Sequence, residues 1–193
     1  MAIALTEKKL EFNGTVALIA ATVVVAASIL AGGETGRVLN GLAGLTWFAS
    51  AGMLGVAAHR VSRGWQIWAL AVAMTGVVAL LVKPSDVVPA IVGFGLAGGV
   101  MALVAGRHGL LWAKFVVALY LPFHIGTAVA KAMYRSLMGN EAVIRSDPPP
   151  TAAVVPIVML AAAISGALIV TSVLKRRESR RPVRPKERNL KLS

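Results

Sequence analysis

The chain has 193 residues, of which 57% are apolar and only 15% charged, and its mean hydropathy is +0.75. This composition excludes an ordinary soluble domain and predicts a helical domain embedded in a lipid bilayer. The absence of cysteine excludes disulfides, thiolate nucleophiles and cysteine-ligated metal sites. The net charge of +12 comes largely from the C-terminus, because nine of the 20 lysines and arginines follow Leu174. Anionic lipid headgroups, and not nucleic acid, are therefore the expected electrostatic partner.

Apolar runs of about 20 residues alternate with short polar turns, which predicts an all-α bundle of six transmembrane helices. The expected spans cover about 12–30, 38–58, 65–82, 87–105, 110–131 and 152–174. Residues 1–11 form a polar lead-in to this six-span domain of 12–174, and residues 175–193 form a basic tail. The alternative is a five-span protein in which the fourth or fifth segment is re-entrant.

The distribution of lysine and arginine predicts the orientation. Six spans put both termini on one side, where the loops and termini carry fourteen lysines and arginines against five on the other side. The positive-inside rule then predicts cytoplasmic termini, an inference that depends mainly on the basic tail. We expect a multi-pass protein of a plasma membrane of bacterial or archaeal type.

Turn and cap residues mark the boundaries between the spans. A glycine-rich turn is expected at 32–36, and Asp86 and Thr151 are expected to cap the fourth and sixth spans. The longest loop is expected at 132–150, where three consecutive prolines favour an extended spacer.

Glycines at helical spacing predict faces on which helices approach closely, since small residues let two backbones come together. The expected packing glycines lie in the second, fourth and sixth spans: Gly52, Gly55, Gly95, Gly98, Gly99 and Gly166. Such a face serves either a homodimer or contacts within one bundle, and the second interpretation is favoured because every interior helix needs one.

The fifth span is exceptional because it carries Lys114, Tyr120, Pro122 and His124 within an apolar run. Polar groups inside a span normally face protein or water, so Lys114, Tyr120 and His124 form the candidate ligand-binding face. Lys114 lies close enough to the predicted cytoplasmic edge for its side chain to reach the headgroups instead. Pro122 has no N–H to donate to the carbonyl of Ala118, so a neighbouring polar group is expected to satisfy that carbonyl.

Every carboxylate falls in a predicted terminus, turn or loop, and no motif of a nucleophilic or metal-dependent enzyme is present. Intramembrane acid–base or metal chemistry needs such groups at the site, so no catalytic residue and no metal ligand is assigned. The cofactor is unknown, since haem ligation by His124 or His59 has no supporting motif.

We therefore expect a non-enzymatic subunit that acts through helix–helix association with other membrane subunits or with a second copy. Its tail is expected to dock to lipid or partners through a basic cluster: Lys175, Arg176, Arg177, Arg180 and Arg181. The alternative is a transporter, channel or substrate-binding subunit for a small anionic or amphipathic solute. A lipid-active enzyme is the least favoured interpretation because the spans lack acids.

Overall fold

A computed structural model describes residues 2–62, 64–82, 86–137 and 150–179, and gives the backbone alone for 2–5, 127–137 and 150–151. Within these ranges the regular structure is helical throughout, as predicted. The helices are α1 (Ala2–Ala31), α2 (Gly33–Val61), α3 (Trp65–Leu81), α4 (Val87–Ala105), α5 (Gly109–Leu137) and α6 (Val155–Ser179). Short 3-10 turns at Gly106–His108 and Pro150–Ala153 precede α5 and α6.

Four helical stretches of the described chain are long and apolar enough to cross a membrane. They are Thr6–Ala31, Gly33–Val61, Val87–Gly126 and Val155–Ser179. The third has 40 residues and contains α4 and the greater part of α5, while α3 is a shorter apolar helix of 17 residues. The rings of Phe94 in α4 and Tyr120 in α5 lie 5.3 Å apart, so these two helices fold back on each other as an antiparallel pair.

The first connection is tighter than the sequence indicated. α1 begins at Ala2, so the polar lead-in is helical and continuous with the first apolar run. A single residue, Gly32, separates α1 from α2, where a turn over 32–36 was expected. Gly32 and Gly33 have φ angles of 61° and 53°, a left-handed backbone that costs glycine little, and this allows the abrupt reversal.

Other boundaries also differ from expectation. α5 continues to Leu137 because no glycine or proline lies between Thr127 and Leu137, so residues 132–137, which were expected in the loop, are helical. α6 begins at Val155, after a 3-10 turn, and Thr151 is therefore not its cap. Asp86 occupies the N-cap position of α4 as expected, but its side chain makes no capping hydrogen bond. The prolines at 148 and 149 lie outside the described residues.

α5 is the centre of the bundle. It packs against each of the other five helices, and all side chains of residues 111–118 are buried. Trp112, at 0% exposure, is the largest of the fully buried side chains. The polar residues predicted to mark a special face of this helix therefore lie at or beside the protein core.

The outer surface of the bundle is also apolar. Large side chains face outwards on several helices, with Leu80 80% exposed, Trp65 75% and Leu45 71%. A soluble bundle of this size would leave such an extensive apolar surface in contact with water, at a prohibitive free energy. An apolar interior combined with an apolar exterior is what a bilayer-embedded bundle requires.

α4 and α6 approach closely through glycines. A Cβ atom added at Gly98 would overlap the backbone of Ala163, and one added at Gly166 would overlap the backbone of Gly95. A Cβ at Gly99 would lie 3.3 Å from the Val170 side chain. The glycine-rich face of the fourth span thus packs within the chain.

The two glycines of α2 differ from each other. A Cβ at Gly55 would lie 3.1 Å from Phe115 and 3.6 Å from Trp68, so Gly55 belongs to a tight contact with α3 and α5. A Cβ at Gly52 would meet nothing within 4 Å. Gly52, expected to be a packing residue, instead borders open space on the outside of the bundle.

We predict that Gly98→Ala destabilises the protein by about 1–3 kcal/mol, because the added methyl group must displace backbone and not a flexible side chain. Gly41→Ala is the matched control, since a Cβ at Gly41 meets nothing within 4 Å. Alanine favours helix over glycine by about 1 kcal/mol, so the control should be neutral or stabilising. The measurement is the apparent Tm of both variants in mild detergent, and equal Tm values would contradict the close α4–α6 contact.

Candidate binding site

Lys114 forms an ion pair within the bundle. Its side chain is 8% exposed, and its Nζ donates to Glu11 Oε1 at 2.6 Å and to Thr15 Oγ1 at 3.1 Å. This geometry corrects the expectation that Lys114 reaches the lipid headgroups by itself. It also corrects the assignment of every carboxylate to a terminus, turn or loop, because Glu11 lies inside α1.

The partners of Lys114 share one face of α1. Glu11 and Thr15 are four residues apart, a spacing that brings two side chains to the same side of a helix. Thr15 also donates to the Glu11 carbonyl at 2.7 Å, which fixes the orientation of its hydroxyl. Glu11 is 35% exposed, so the pair lies at the edge of the core where one partner still reaches the surroundings.

The carbonyl that Pro122 leaves without an intrahelical donor has a partner from another helix. The indole Nε1 of Trp47 in α2 donates to the Ala118 carbonyl at 2.9 Å. This contact confirms the expectation that a neighbouring polar group satisfies Ala118. Trp47 is 2% exposed, so its N–H would itself lack a partner if it did not make this bond.

Tyr120 and His124 lie one turn apart on α5 and stack. Their ring centroids are 5.5 Å apart and their planes differ by 19°. The Tyr120 hydroxyl donates to the carbonyl of Val82, the residue after α3, at 3.4 Å. α3 thus holds the tyrosine, and the stacked ring of His124 is held beside it.

A cavity of about 680 Å³ lies next to this pair, between α1, α2, α5 and α6. Its polar lining comes from Ser28, Arg37, Asn40, Tyr120 and His124, and glycines of the α1–α2 turn close one end. Its apolar lining includes Val25, Ile29, Trp47, Leu121, Val155 and Met159. The space is therefore amphipathic, with a volume within the range usual for small-molecule sites.

The electrostatics of the cavity favour an anion. Arg37 is the one formally charged side chain among its described lining residues, and no carboxylate faces it there. The N-terminus of α2 points to the same end, and its N-cap residue, Gly32, supplies no side-chain acceptor for the first backbone N–H groups. The partial positive charge of this N-terminus is opposed by the partial negative charge of the α1 C-terminus one residue away, so Arg37 is the main positive group of the cavity.

The predicted binding face is thus divided. Tyr120 and His124 line the cavity, whereas Lys114 does not and belongs to the contact between α1 and α5. Arg37 and Asn40 were not identified as site residues because Arg37 was assigned to a turn. Their separation of three residues places them on one side of a helix once α2 is known to start at Gly33.

Lys175, Arg176 and Arg177 of the expected docking cluster are exposed at the end of α6, while Arg180 and Arg181 lie outside the described residues. In the part of the chain that the structure describes, no three histidine or acidic side chains come together as a metal site would require.

Comparison with protein-family models, with curated proteins and with solved structures gives no match to this chain.

We predict that the hydrogen bond from Trp47 to Ala118 is coupled to Pro122. Trp47→Phe should destabilise the protein by about 1–3 kcal/mol, because it leaves a buried carbonyl without a donor. Pro122→Ala supplies a backbone N–H four residues after Ala118, so the same Trp47→Phe change should be less destabilising in that background. The measurement is a double-mutant cycle on unfolding in detergent, with an expected coupling of about 1 kcal/mol. Additive effects would show that the Trp47 bond does not replace the missing backbone donor.

We predict an asymmetric effect of breaking the Lys114–Glu11 pair. Glu11→Gln should destabilise by about 1–3 kcal/mol because it leaves a buried ammonium group without its counter-charge, whereas Lys114→Met leaves a carboxylate that is partly exposed and should be milder. Combining the two changes should recover much of the loss. The control is Glu34→Gln on the exposed start of α2. A Glu11→Gln variant with the Tm of Glu34→Gln would contradict a stabilising pair.

Proposed function

We propose that the protein is a non-enzymatic, multi-pass integral membrane protein that binds a small amphipathic anion between α1, α2, α5 and α6. The observation that carries the proposal is the cavity of about 680 Å³ in which Arg37 is the one formally charged side chain among the described lining residues. Arg37 has no ion-pair partner among the described residues, and an arginine beside hydrogen-bonding side chains suits a carboxylate, sulfonate or phosphate group.

An amphipathic ligand suits the cavity better than an inorganic anion. The polar groups Arg37 and Asn40 lie on α2, and the space between them and α6 is bordered by Ile29, Leu121 and Met159. An inorganic ion would leave this apolar wall facing water, whereas a ligand with a hydrocarbon part covers it and gains the free energy of apolar burial.

We propose six spans with both termini on the cytoplasmic side of a plasma membrane. The antiparallel arrangement of α4 and α5 supports two crossings for the stretch Val87–Gly126. α3 has 17 residues and is therefore about 26 Å long. This is shorter than a hydrocarbon core of about 30 Å, and local thinning of the bilayer around α3 can compensate for the difference. In this orientation the cavity lies in the outer half of the membrane, because its lining includes the α1–α2 turn.

The site supports binding more than conduction. The lining of the cavity reaches Trp47 and Tyr120, and nearer the start of α5 residues 111–118 are buried on all sides. A channel or transporter in this conformation would need a polar path past that packed segment. The function is therefore that of a binding protein or binding subunit.

Association with other membrane subunits or with a second copy stays a prediction. Gly95, Gly98 and Gly166, which suggested an association face, pack within the chain. The basic residues Lys175, Arg176 and Arg177 at the exposed end of α6 are what supports docking to a partner or to anionic lipid.

We predict that decanoate binds the purified protein and that Arg37→Gln weakens this binding about tenfold or more, since a hydrogen bond to a charged group contributes about 1.5–3 kcal/mol. The measurement is calorimetric titration in an uncharged detergent, with the heat of titration into detergent alone subtracted. Decyltrimethylammonium has a similar apolar chain with the opposite charge and should not bind at this site.

Arg107→Gln is the matched control, because Arg107 is an exposed arginine in the turn between α4 and α5 and does not line the cavity. It should bind decanoate as the unmodified protein does. Equal affinity for the anion and the cation, or equal affinity of the Arg37→Gln and unmodified proteins for decanoate, would refute the proposed anion site.

A further inference from the structure

A second recess lies on the outer surface of the bundle, on the opposite side of α5 from the cavity. It has a volume of about 600 Å³ and is bordered by α2, α3 and α5. Along α2 its lining extends from Phe48 to Arg60, a distance of about 18 Å at the helical rise. The recess exists because Gly52 and Gly55 present no side chain, and at Gly52 the space beyond the backbone is open for 4 Å.

One wall of this groove is a preformed aromatic cluster. Trp68 and Phe115 line it with ring centroids 5.0 Å apart, and Trp112 packs edge-on against Trp68 at 5.2 Å from the protein interior. The indole N–H groups of Trp68 and Trp112 make no hydrogen bond within the described residues, so apolar packing holds the cluster there. Large packed rings give the wall a fixed shape, which an ordinary lipid-facing helix surface lacks.

The groove has a charged end. His59 and Arg60, at the end of α2, are exposed, and the other described lining residues are apolar. No carboxylate is among them. The groove is therefore apolar along most of its length and ends at the guanidinium group of Arg60.

We propose that this groove binds one anionic phospholipid, with an acyl chain along Gly52 and Gly55 and its phosphate group at Arg60. The apolar part of the lining on α2, from Phe48 to Val56, is about 12 Å long and fits within the thickness of about 15 Å that one leaflet contributes to the hydrocarbon core. Arginine binds phosphate oxygens with paired hydrogen bonds, and the preference for an anionic headgroup comes from net charge, because a zwitterionic headgroup adds a cation that the guanidinium group repels. This site uses neither Arg37 nor His124, so it is independent of the proposed anion site.

The experiment uses the full-length protein in nanodiscs of equal parts phosphatidylglycerol and phosphatidylcholine, released into the gas phase for native mass spectrometry. The unmodified protein should retain one phosphatidylglycerol in about fivefold preference to phosphatidylcholine, the preference expected from one arginine near a lipid phosphate. Arg60→Gln should abolish the preference. Gly52→Leu should abolish retention of both lipids, because the new side chain occupies the open space of the groove.

Two matched controls separate the groove from general effects. Arg107→Gln removes an exposed arginine from the turn between α4 and α5, and Gly41→Leu adds the same side chain elsewhere on α2, where nothing lies within 4 Å of a Cβ. Both should keep the preference of the unmodified protein. Equal retention of the two lipids by the unmodified protein, loss of preference in the controls, or a lipid-free dimer as the main species would each overturn the proposal.

Discussion

The structure depends on the polar contacts that one buried helix, α5, makes with its neighbours. α5 is surrounded by the other five helices. Residues of α1 and α2, and the residue that follows α3, supply hydrogen-bond partners for three of its polar groups. Glu11 and Thr15 of α1 hold Lys114, Trp47 of α2 bonds the Ala118 carbonyl, and the Val82 carbonyl after α3 accepts from Tyr120. Within a bilayer the hydrophobic effect hardly distinguishes one helix arrangement from another, because lipid is as apolar as the core. These polar contacts therefore select the positions of α1, α2 and α3 around α5.

The other side of the bundle is held by a different kind of contact. α4 and α6 meet through glycines whose backbones lie too close for any side chain, and such close approach gains dispersion energy that lipid cannot match. α4 also places Phe94 edge-on against Tyr120, so the glycine contact and the polar contacts meet at one residue of the central helix. α4 thus contacts both α6 and the ring that lines the cavity.

The proline of α5 links this framework to the two proposed sites. Pro122 lines the outer groove, whereas Tyr120, Leu121 and His124 face the cavity on the other side of the same turn. α2 contributes an arginine to each site, Arg37 near its start and Arg60 near its end, so the two sites have their positive charge at opposite ends of the bundle. Both sites combine one arginine with an apolar wall, which suits amphipathic ligands that partition into a membrane.

The sequence alone determined the membrane class, the all-helical structure and the approximate positions of six helices, because long apolar runs interrupted by glycine, proline and charge leave few alternatives. It also indicated that Pro122 leaves the Ala118 carbonyl in need of a donor. Only the tertiary structure decided which donor, which acid meets Lys114 from 103 residues away, and that Arg37 faces a cavity. The physical reason is that these helices are apolar on both their inner and outer faces. The sequence pattern that marks the buried side of a soluble helix is therefore missing, and helix neighbours are fixed by a few contacts that are distant in the chain.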